Sequence, residues 1–278
     1  MSVFEAIILG FAQGLSEFLP ISSSGHLVLL EHFFGIEGDS ALTFAVMLHV
    51  GTLISVFAVY FKDILALIYE LCMVIGDVFK GKGLRVNANP TRKLGFLIIV
   101  ATIPTGLIGV LFKDVFTALY NMLETTGIGF LITGTILIIA ERIGKNSKRI
   151  EEMGFGGALF VGLCQGVAIC PGISRSGSTI FGSLTCGLTR EAAVRFAFLI
   201  SIPAIMGSAV LEAPKALKEG MDAAMAAPVL IGMLIAAISG FIAIKTMIRV
   251  VSNKKLFYFS IYTWCLGIFV LTYAFFLS

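Results

Sequence analysis

An internal repeat is the feature of this sequence that most limits its possible folds. When the chain is shifted by 152 positions, twelve residues of the first half coincide, without a gap, with identical residues of the second half. Self-similarity at one fixed offset indicates a duplicated structural unit. We therefore predict a single domain over residues 1–278 that contains two copies of this unit, about 3–140 and about 154–278. The coinciding first-half residues are Ala6, Gly10, Gln13, Gly14, Ile21, Ser22, Ser24, Gly25, Gly35, Ala41, Phe44 and Ala45.

The composition places both copies in a membrane. Of the 278 residues, 58% are hydrophobic and 13% are charged, and the mean hydropathy is +0.99, which is typical of a polytopic membrane protein. The five cysteines lie in apolar segments without C-x-x-C spacing, so we expect neither a disulfide nor a cysteine metal site. The net charge of +3 gives no indication of a nucleic-acid partner.

The apolar segments predict an all-α protein with six transmembrane helices and two re-entrant helical hairpins. The arms of the hairpins, residues 3–19 with 26–36 and 154–170 with 179–188, are interrupted or too short to cross about 30 Å of hydrocarbon. The predicted crossings are residues 41–61, 94–112, 125–140, 192–211, 226–247 and 257–277. We also predict an amphipathic interfacial helix over residues 62–79 and a short polar turn at Lys113 and Asp114.

The distribution of basic residues predicts the orientation. One set of loops is rich in lysine and arginine, and the opposite set has only Lys113, Lys215 and Lys218, so the basic side should be cytoplasmic and both termini should lie outside. Three crossings separate the starts of the two copies, which would insert them upside down relative to each other. Inverted repeats keep their sites near the midplane, where the two hairpin tips would meet. The basic residues are Lys62, Lys80, Lys82, Arg85, Arg92, Lys93, Arg142, Lys145, Lys148, Arg149, Lys245, Arg249, Lys254 and Lys255.

Each copy contains a polar run, broken by glycine, between its two arms. The second run, residues 171–179, reads Pro-Gly-Ile-Ser-Arg-Ser-Gly-Ser-Thr and has Arg175 at its centre. A guanidinium pairs with two phosphate oxygens at once, and hydroxyls and helix-end amides add donors, so this run predicts anion binding. The first run, residues 21–26, reads Ile-Ser-Ser-Ser-Gly-His, with Ser23 in the position of Arg175 and His26 in the position of Ser178.

Two polar residues on the preceding arm point toward the first run. Gln13 and Glu17 are four residues apart and share one helix face. A carboxylate there can hold a divalent cation against a phosphate or accept a proton from a hydroxyl. The second copy has Ile169 in place of Glu17, which favours function over a brace common to both copies.

Structural roles remain open for the same residues. Glu17 can brace the hairpin through backbone amides, the three serines can bond to their own backbone, and Arg175 can form a salt bridge with Glu17. His32 and His49 stand outside any motif, and no role is predicted for them.

The two runs resemble the motifs of the undecaprenyl-pyrophosphate phosphatase family. Residues 13–26, Gln-Gly-Leu-Ser-Glu-Phe-Leu-Pro-Ile-Ser-Ser-Ser-Gly-His, are similar to its (Glu/Gln)-xxx-Glu motif with the following Ser-Ser-x-Gly-His. Residues 171–179 are similar to its Pro-Gly-x-Ser-Arg-Ser-x-x-Thr motif. The likeness includes the chain length and the repeat spacing. One departure is that Gln13 stands where many members have glutamate, which weakens any mechanism that needs two carboxylates on a metal.

The resemblance implies a lipid phosphatase of the bacterial inner membrane. Its activity would convert undecaprenyl pyrophosphate to the monophosphate with a divalent cation, Mg²⁺ or Ca²⁺, for peptidoglycan synthesis, and would confer resistance to bacitracin. The site would open to the outer face, and an oligomer is possible. By position, the catalytic residues would be Glu17, Ser23, His26 and Arg175, the substrate-binding residues Ser22, Ser24, Gly25, Ser174, Ser176 and Thr179, and the metal ligands Glu17 and Gln13.

Alternatives to this interpretation exist for both function and mechanism. A transporter or flippase of an anionic polyprenyl lipid would share the inverted repeat. The asymmetry of the copies favours an enzyme, because Ser23 and His26 occur in one copy and Arg175 in the other. A phosphatidic-acid type phosphatase is a weaker alternative. Within the preferred function, Ser23 is either a nucleophile or a phosphate ligand beside a water that a cation activates.

Overall fold

The computed structural model describes residues 2–36, 39–120, 122–143, 146–218 and 223–276, and for residues 39–43, 211–218 and 223–225 it describes the backbone alone. Within these ranges the chain is helical, and its extended pairing is confined to one isolated bridge between Lys148 and Leu188. The prediction of an all-α protein is confirmed. Lys145 and Leu277 lie outside the described residues, as do the side chains of Ala41, Lys215 and Lys218.

Twelve α-helices and one 3₁₀ turn follow one another in the described parts of the chain. They are α1 (Val3–Phe18), α2 (Ser23–Phe34), α3 (Asp39–Val59), α4 (Phe61–Phe79), α5 (Pro90–Leu111), α6 (Lys113–Tyr120), α7 (Leu123–Arg142), the 3₁₀ turn Ile150–Glu152, α8 (Phe155–Val167), α9 (Arg175–Thr185), α10 (Arg190–Lys218), α11 (Ala223–Ser252) and α12 (Leu256–Phe276).

The helices make this a multi-pass membrane protein. Among the described residues, five helices are long and apolar enough to cross a bilayer, namely α5, α7, α10, α11 and α12. A sixth span results when α3 and α4 are counted as one broken element, since the two are bent by 86° at Tyr60. Five of the six predicted crossings correspond to these helices, whereas the predicted crossing over residues 41–61 corresponds to α3, which counts as a span only together with α4.

Two local predictions differ from the structure. The predicted polar turn at Lys113 and Asp114 is wrong, because α6 begins at Lys113. Asp114 lies in the first turn of α6, where a carboxylate interacts favourably with the positive end of the helix dipole.

The two polar breaks are also shorter than predicted, because α2 and α9 begin at Ser23 and Arg175, well inside the runs. In the sequence, the serines and glycines of these runs are typical of a helix break. In the structure they lie at helix N-termini, where serine hydroxyls cap the free backbone amides.

Close helix packing brings the arms of the two copies toward each other. The main partner of α1 is α11, and the main partner of α8 is α5. Small residues permit these approaches: a Cβ on Gly10 would lie 2.5 Å from the carbonyl oxygen of Gly232, and one on Gly162 would collide with the carbonyl oxygen of Ala101. The arms α1 and α8 are thereby each held against a long helix of the other half of the chain.

An ion-pair cluster fixes α4 against α5. Arg92 is buried, its Nε donates to Glu70 at 2.9 Å, and its Nη1 donates to Asp77 at 2.8 Å. Asn89 caps α5 and also donates to Glu70, at 2.9 Å. The cluster therefore fixes α4, which stands at 86° to α3, against the start of α5.

Candidate active site

The carboxylate of Glu17 is the point where the two polar runs meet. Glu17 lies in the last turn of α1 and is 5% exposed. Its Oε2 accepts from Gln13 Nε2 at 2.9 Å and from Ser23 Oγ at 2.5 Å. Its Oε1 forms an ion pair with Nη2 of Arg175, from the other copy. The salt bridge considered from the sequence is therefore present, and Ser23 and Arg175 bond to the two oxygens of one carboxylate.

Serine caps place Ser23 and Arg175 at the first positions of their helices. Ser22 Oγ accepts from the amide of Gly25 at 3.3 Å, and Ser174 Oγ accepts from the amide of Gly177 at 3.1 Å. Both helix N-termini thus lie at the site, and their free amides and dipoles favour a negative ligand. Ser22 has a φ of +69°, a conformation that costs a residue other than glycine about 1–3 kcal/mol and is concentrated at functional sites.

Helix α7 holds the second break in position. Thr133 Oγ1 accepts from the amide of Ser174 at 2.9 Å and donates to the carbonyl oxygen of Gly172 at 2.8 Å. Gly172 has a φ of +81°, and a Cβ there would lie 2.9 Å from the Cα of Gly129. The position of Arg175 therefore depends on a close approach of α7 to the backbone just before α9.

The guanidinium of Arg175 has donor capacity left over. Its Nη2 is used by Glu17, whereas Nη1 is buried and has no hydrogen-bond partner among the described residues. A buried donor without an acceptor is costly, since it gives up its bonds to water. The arrangement is suited to an anion that supplies the missing acceptor.

The structure places the ring of His26 in contact with Ser22, Tyr262 and Phe130. Nδ1 lies 2.7 Å from the carbonyl oxygen of Ser22 and must donate to it, so Nε2 of the neutral ring accepts from the Tyr262 hydroxyl, also at 2.7 Å. The ring stacks on Tyr262 and meets the edge of Phe130. The acid–base role of His26 stays a prediction.

The predicted substrate-binding residues have local contacts in this structure. Ser24 Oγ lies 3.2 Å from Ser22 Oγ, Ser176 Oγ donates to Leu19 O at 3.1 Å, and Thr179 Oγ1 donates to Arg175 O at 2.9 Å. At Gly25 a Cβ would lie 2.5 Å from Phe130 Cζ, so the absence of a side chain serves packing. The contacts of all these residues, and of Ser174, with the substrate remain predictions.

Sequence reasoning missed His49 and Tyr262, which come from helices remote from both motifs. His49 Nε2 lies 3.6 Å from Glu17 Oε2, and Tyr262 contacts His26 as above. Their one sequence signal is that polar residues within membrane segments are usually functional. His32, by contrast, is exposed and contacts Tyr273 at 3.4 Å.

The residues around Glu17 fit a divalent cation that is shared with a phosphate. No group of three or more histidine, cysteine, aspartate or glutamate side chains suited to a metal occurs among the described residues. However, Gln13 Oε1 is buried and has no hydrogen-bond partner. Hard cations take oxygen ligands, and sites of this type often use one or two protein ligands and complete their shell with substrate phosphates and water.

The fold and the site together define a polytopic helical membrane protein with a buried carboxylate, a serine hydroxyl and an arginine gathered at two helix N-termini. The sequence matches the family described as bacitracin resistance protein BacA over residues 6–269. The chain therefore belongs to the BacA family.

Relatives with assigned names are similar along almost the whole chain. An undecaprenyl-diphosphatase of Alkaliphilus metalliredigens is 50% identical over 274 residues, which is 99% of both chains. That of Halothermothrix orenii is 42% identical over 274 residues, again 99% of both chains. Undecaprenyl-diphosphatase 3 of Bacillus cereus is 39% identical over 275 residues, covering 99% of this chain and 98% of the relative.

Proposed function

We propose that this protein hydrolyses undecaprenyl pyrophosphate to undecaprenyl phosphate and inorganic phosphate, the activity named for its relatives. Family membership and full-length identities of up to 50% support the activity and its link to bacitracin resistance. The observation in the site that carries the proposal is the free Nη1 of Arg175 next to a serine hydroxyl bonded to a carboxylate. A terminal phosphate would supply the acceptor that Nη1 lacks.

Some residues of the site would bind the substrate, and others would carry out the chemical step. Arg175 and the amides at the starts of α2 and α9 would bind the terminal phosphate and stabilise the charge that develops on its oxygens. If a divalent cation is bound, Glu17 and Gln13 would hold it, and it would offset the charge of the diphosphate. The prenyl tail would remain in the lipid.

The chemical step would use Ser23 and Glu17. Ser23 Oγ attacks the terminal phosphorus and transfers its proton to Glu17 Oε2, which lies 2.5 Å away. The bond from phosphorus to the bridging oxygen breaks, and undecaprenyl phosphate leaves with that oxygen. A water molecule then attacks the phosphorus of the phosphoserine, the bond from phosphorus to Ser23 Oγ breaks, and inorganic phosphate leaves with both protons of the water. Ser23 Oγ takes back the proton that Glu17 holds, which restores the hydroxyl and the carboxylate. In the alternative route, water attacks the phosphorus directly and Ser23 only binds a phosphate oxygen.

The membrane arrangement belongs to the same proposal. We infer two re-entrant hairpins inserted from opposite faces of the bacterial inner membrane, with the site open to the outer face. Support comes from matching positions, since α8 and α9 begin 152 residues after α1 and α2, and from the matching serine caps Ser22 and Ser174. The reciprocal packing of α1 on α11 and of α8 on α5 agrees with a pseudo-twofold axis.

The decisive experiment measures phosphate release by the purified protein in detergent from undecaprenyl pyrophosphate. Wild type should release phosphate, and Ser23→Ala should release none while still binding the lipid. After a rapid acid quench, mass spectrometry should find a phosphoryl group on Ser23 in wild type. The matched control is Ser252→Ala, because Ser252 is exposed and its hydroxyl bonds to its own helix at 2.8 Å.

Two results would change the proposal. If Ser23→Ala keeps a few per cent of the wild-type rate, the phosphoserine route is wrong and direct attack by water remains. If wild type releases no phosphate but carries the lipid across vesicle membranes, the chain is a transporter of this lipid instead.

A further inference from the structure

The ring of His49 presents a free nitrogen to Glu17. His49 Nδ1 lies 2.8 Å from the carbonyl oxygen of Ala45, and because a carbonyl only accepts, Nδ1 carries the proton. Nε2 of the neutral ring therefore has a lone pair, and it faces Glu17 Oε2 at 3.6 Å. The His49 side chain is 30% exposed, so protein atoms do not cover it completely.

The separation of these two atoms suits two ligands of one cation. At 3.6 Å, Nε2 and Oε2 are too far apart for a normal hydrogen bond. Two ligand atoms that are each about 2.1–2.2 Å from an ion are about 3.0–3.6 Å apart at angles of about 90–110°, so 3.6 Å lies at the upper end of the range for one octahedral ion. An ion between them would also separate the lone pair of Nε2 from the negative charge of Glu17.

A third ligand atom is available next to the same carboxylate oxygen. The amide of Gln13 reaches Glu17 Oε2 through Nε2 at 2.9 Å, while its Oε1 is buried without a partner. Half a turn of the amide gives up the bond from Nε2 to Glu17, exchanges the positions of nitrogen and oxygen, and places Oε1 beside Glu17 Oε2, where a cation would bind both oxygens. The site then has a carboxylate oxygen, an amide oxygen and an imidazole nitrogen.

The second copy contains no comparable set of ligands. At the repeat offset, Ile169 replaces Glu17 and Ser201 replaces His49. Ser201 Oγ donates to Phe198 O of its own helix at 2.7 Å. The three donor types therefore occur together in the copy that also has Ser23, which favours a role in the reaction over a role in the shared architecture.

We propose that His49 is the third protein ligand of a divalent cation, with Glu17 and Gln13, and that this site prefers Mn²⁺ to Ca²⁺. The proposal rests on the proposed function, because the diphosphate of the substrate would complete the coordination shell. Imidazole suits transition metals, whereas Ca²⁺ takes oxygen ligands almost exclusively. A single carboxylate also gives less charge than Ca²⁺ sites usually provide.

The test is Mn²⁺ binding to the purified protein without lipid, followed by electron paramagnetic resonance. Wild type should bind Mn²⁺ and show coupling to a directly bonded ¹⁴N nucleus. His49→Gln and His49→Ala should lose this coupling, and His49→Ala should weaken Mn²⁺ binding by about tenfold or more. Competition with Ca²⁺ should show that the preference for Mn²⁺ shrinks in both variants. His32→Gln is the matched control, because His32 is exposed and contacts Tyr273, and it should behave like wild type.

Two outcomes would overturn the inference: Mn²⁺ affinity that is unchanged in His49→Ala, or ¹⁴N coupling that persists in both His49 variants. His49 would then be a neighbour of Glu17 and not a ligand. The test is separate from the proposed function. Binding that depends on His49 in a protein that releases no phosphate would refute only the phosphatase activity.

Discussion

At the scale of single residues, Arg175 has two tasks that one nitrogen cannot perform. Its Nη2 pairs with Glu17 while its buried Nη1 has no partner among the described residues. A lysine ammonium is a compact point charge, so it can neutralise Glu17 or bind phosphate, but it cannot reproduce the fixed fork.

We therefore predict that Arg175→Lys is nearly as damaging as Arg175→Ala. Loss of the forked contact should reduce kcat/KM about a hundredfold or more, or roughly 3 kcal/mol of transition-state stabilisation. The measurement is phosphate release at varied lipid concentration. Arg195→Lys is the control, because Arg195 forms a half-exposed pair with Asp63 at 2.7 Å and should change the rate little. Substantial activity in Arg175→Lys would mean that Arg175 supplies charge alone.

At the scale of elements, the break before α9 is sterically determined and the end of α2 is not. Gly172 and Gly35 both have positive φ, +81° and +63°. A Cβ on Gly172 would collide with the carbonyl oxygen of Thr126, whereas a Cβ on Gly35 would have nothing within 4 Å. Alanine at Gly35 would therefore bring only the cost of the left-handed backbone conformation, whereas alanine at Gly172 would add the cost of displacing α7.

Gly35→Ala should lower the free energy of unfolding by about 1–2 kcal/mol, the cost of the left-handed conformation for a residue with a Cβ. Gly172→Ala should lower it by more and should also lower kcat, because the start of α9 carries Arg175. Thermal unfolding in detergent and phosphate release would measure the two effects. Equal shifts in both variants, with normal activity in Gly172→Ala, would contradict the close packing of α7 against this break.

At the scale of the whole molecule, the inferred topology predicts which loops are accessible from each side. In a variant whose five native cysteines are replaced by alanine, an impermeant thiol reagent applied to whole cells should label a cysteine at Lys113 and should miss one at Lys82. Both positions are exposed on the protein surface, so access through the membrane is the variable. After lysis both should react. Labelling of position 82 but not 113 in whole cells would invert the proposed orientation and put the site on the cytoplasmic side.

The sequence alone determined the class of fold and the principal pair at the site. Apolar segments with short arms predicted a helical membrane protein because lipid leaves backbone groups no partner outside a helix. The repeat aligned Ser23 with Arg175, and in the structure both contact Glu17. These results follow from local composition and from the repeat offset, which are properties of the chain before it folds.

Only the tertiary structure decided which side chains surround Glu17. His49 and Tyr262 come from α3 and α12, and no motif near them indicates that helix packing brings them to Glu17 and His26. The helix boundaries at Ser23 and Arg175 also depended on it, because caps and contacts with α7 stabilise helical starts where serine and glycine propensities predict a break. Propensity describes neighbours along the chain, whereas a buried polar site is assembled from residues that packing places together.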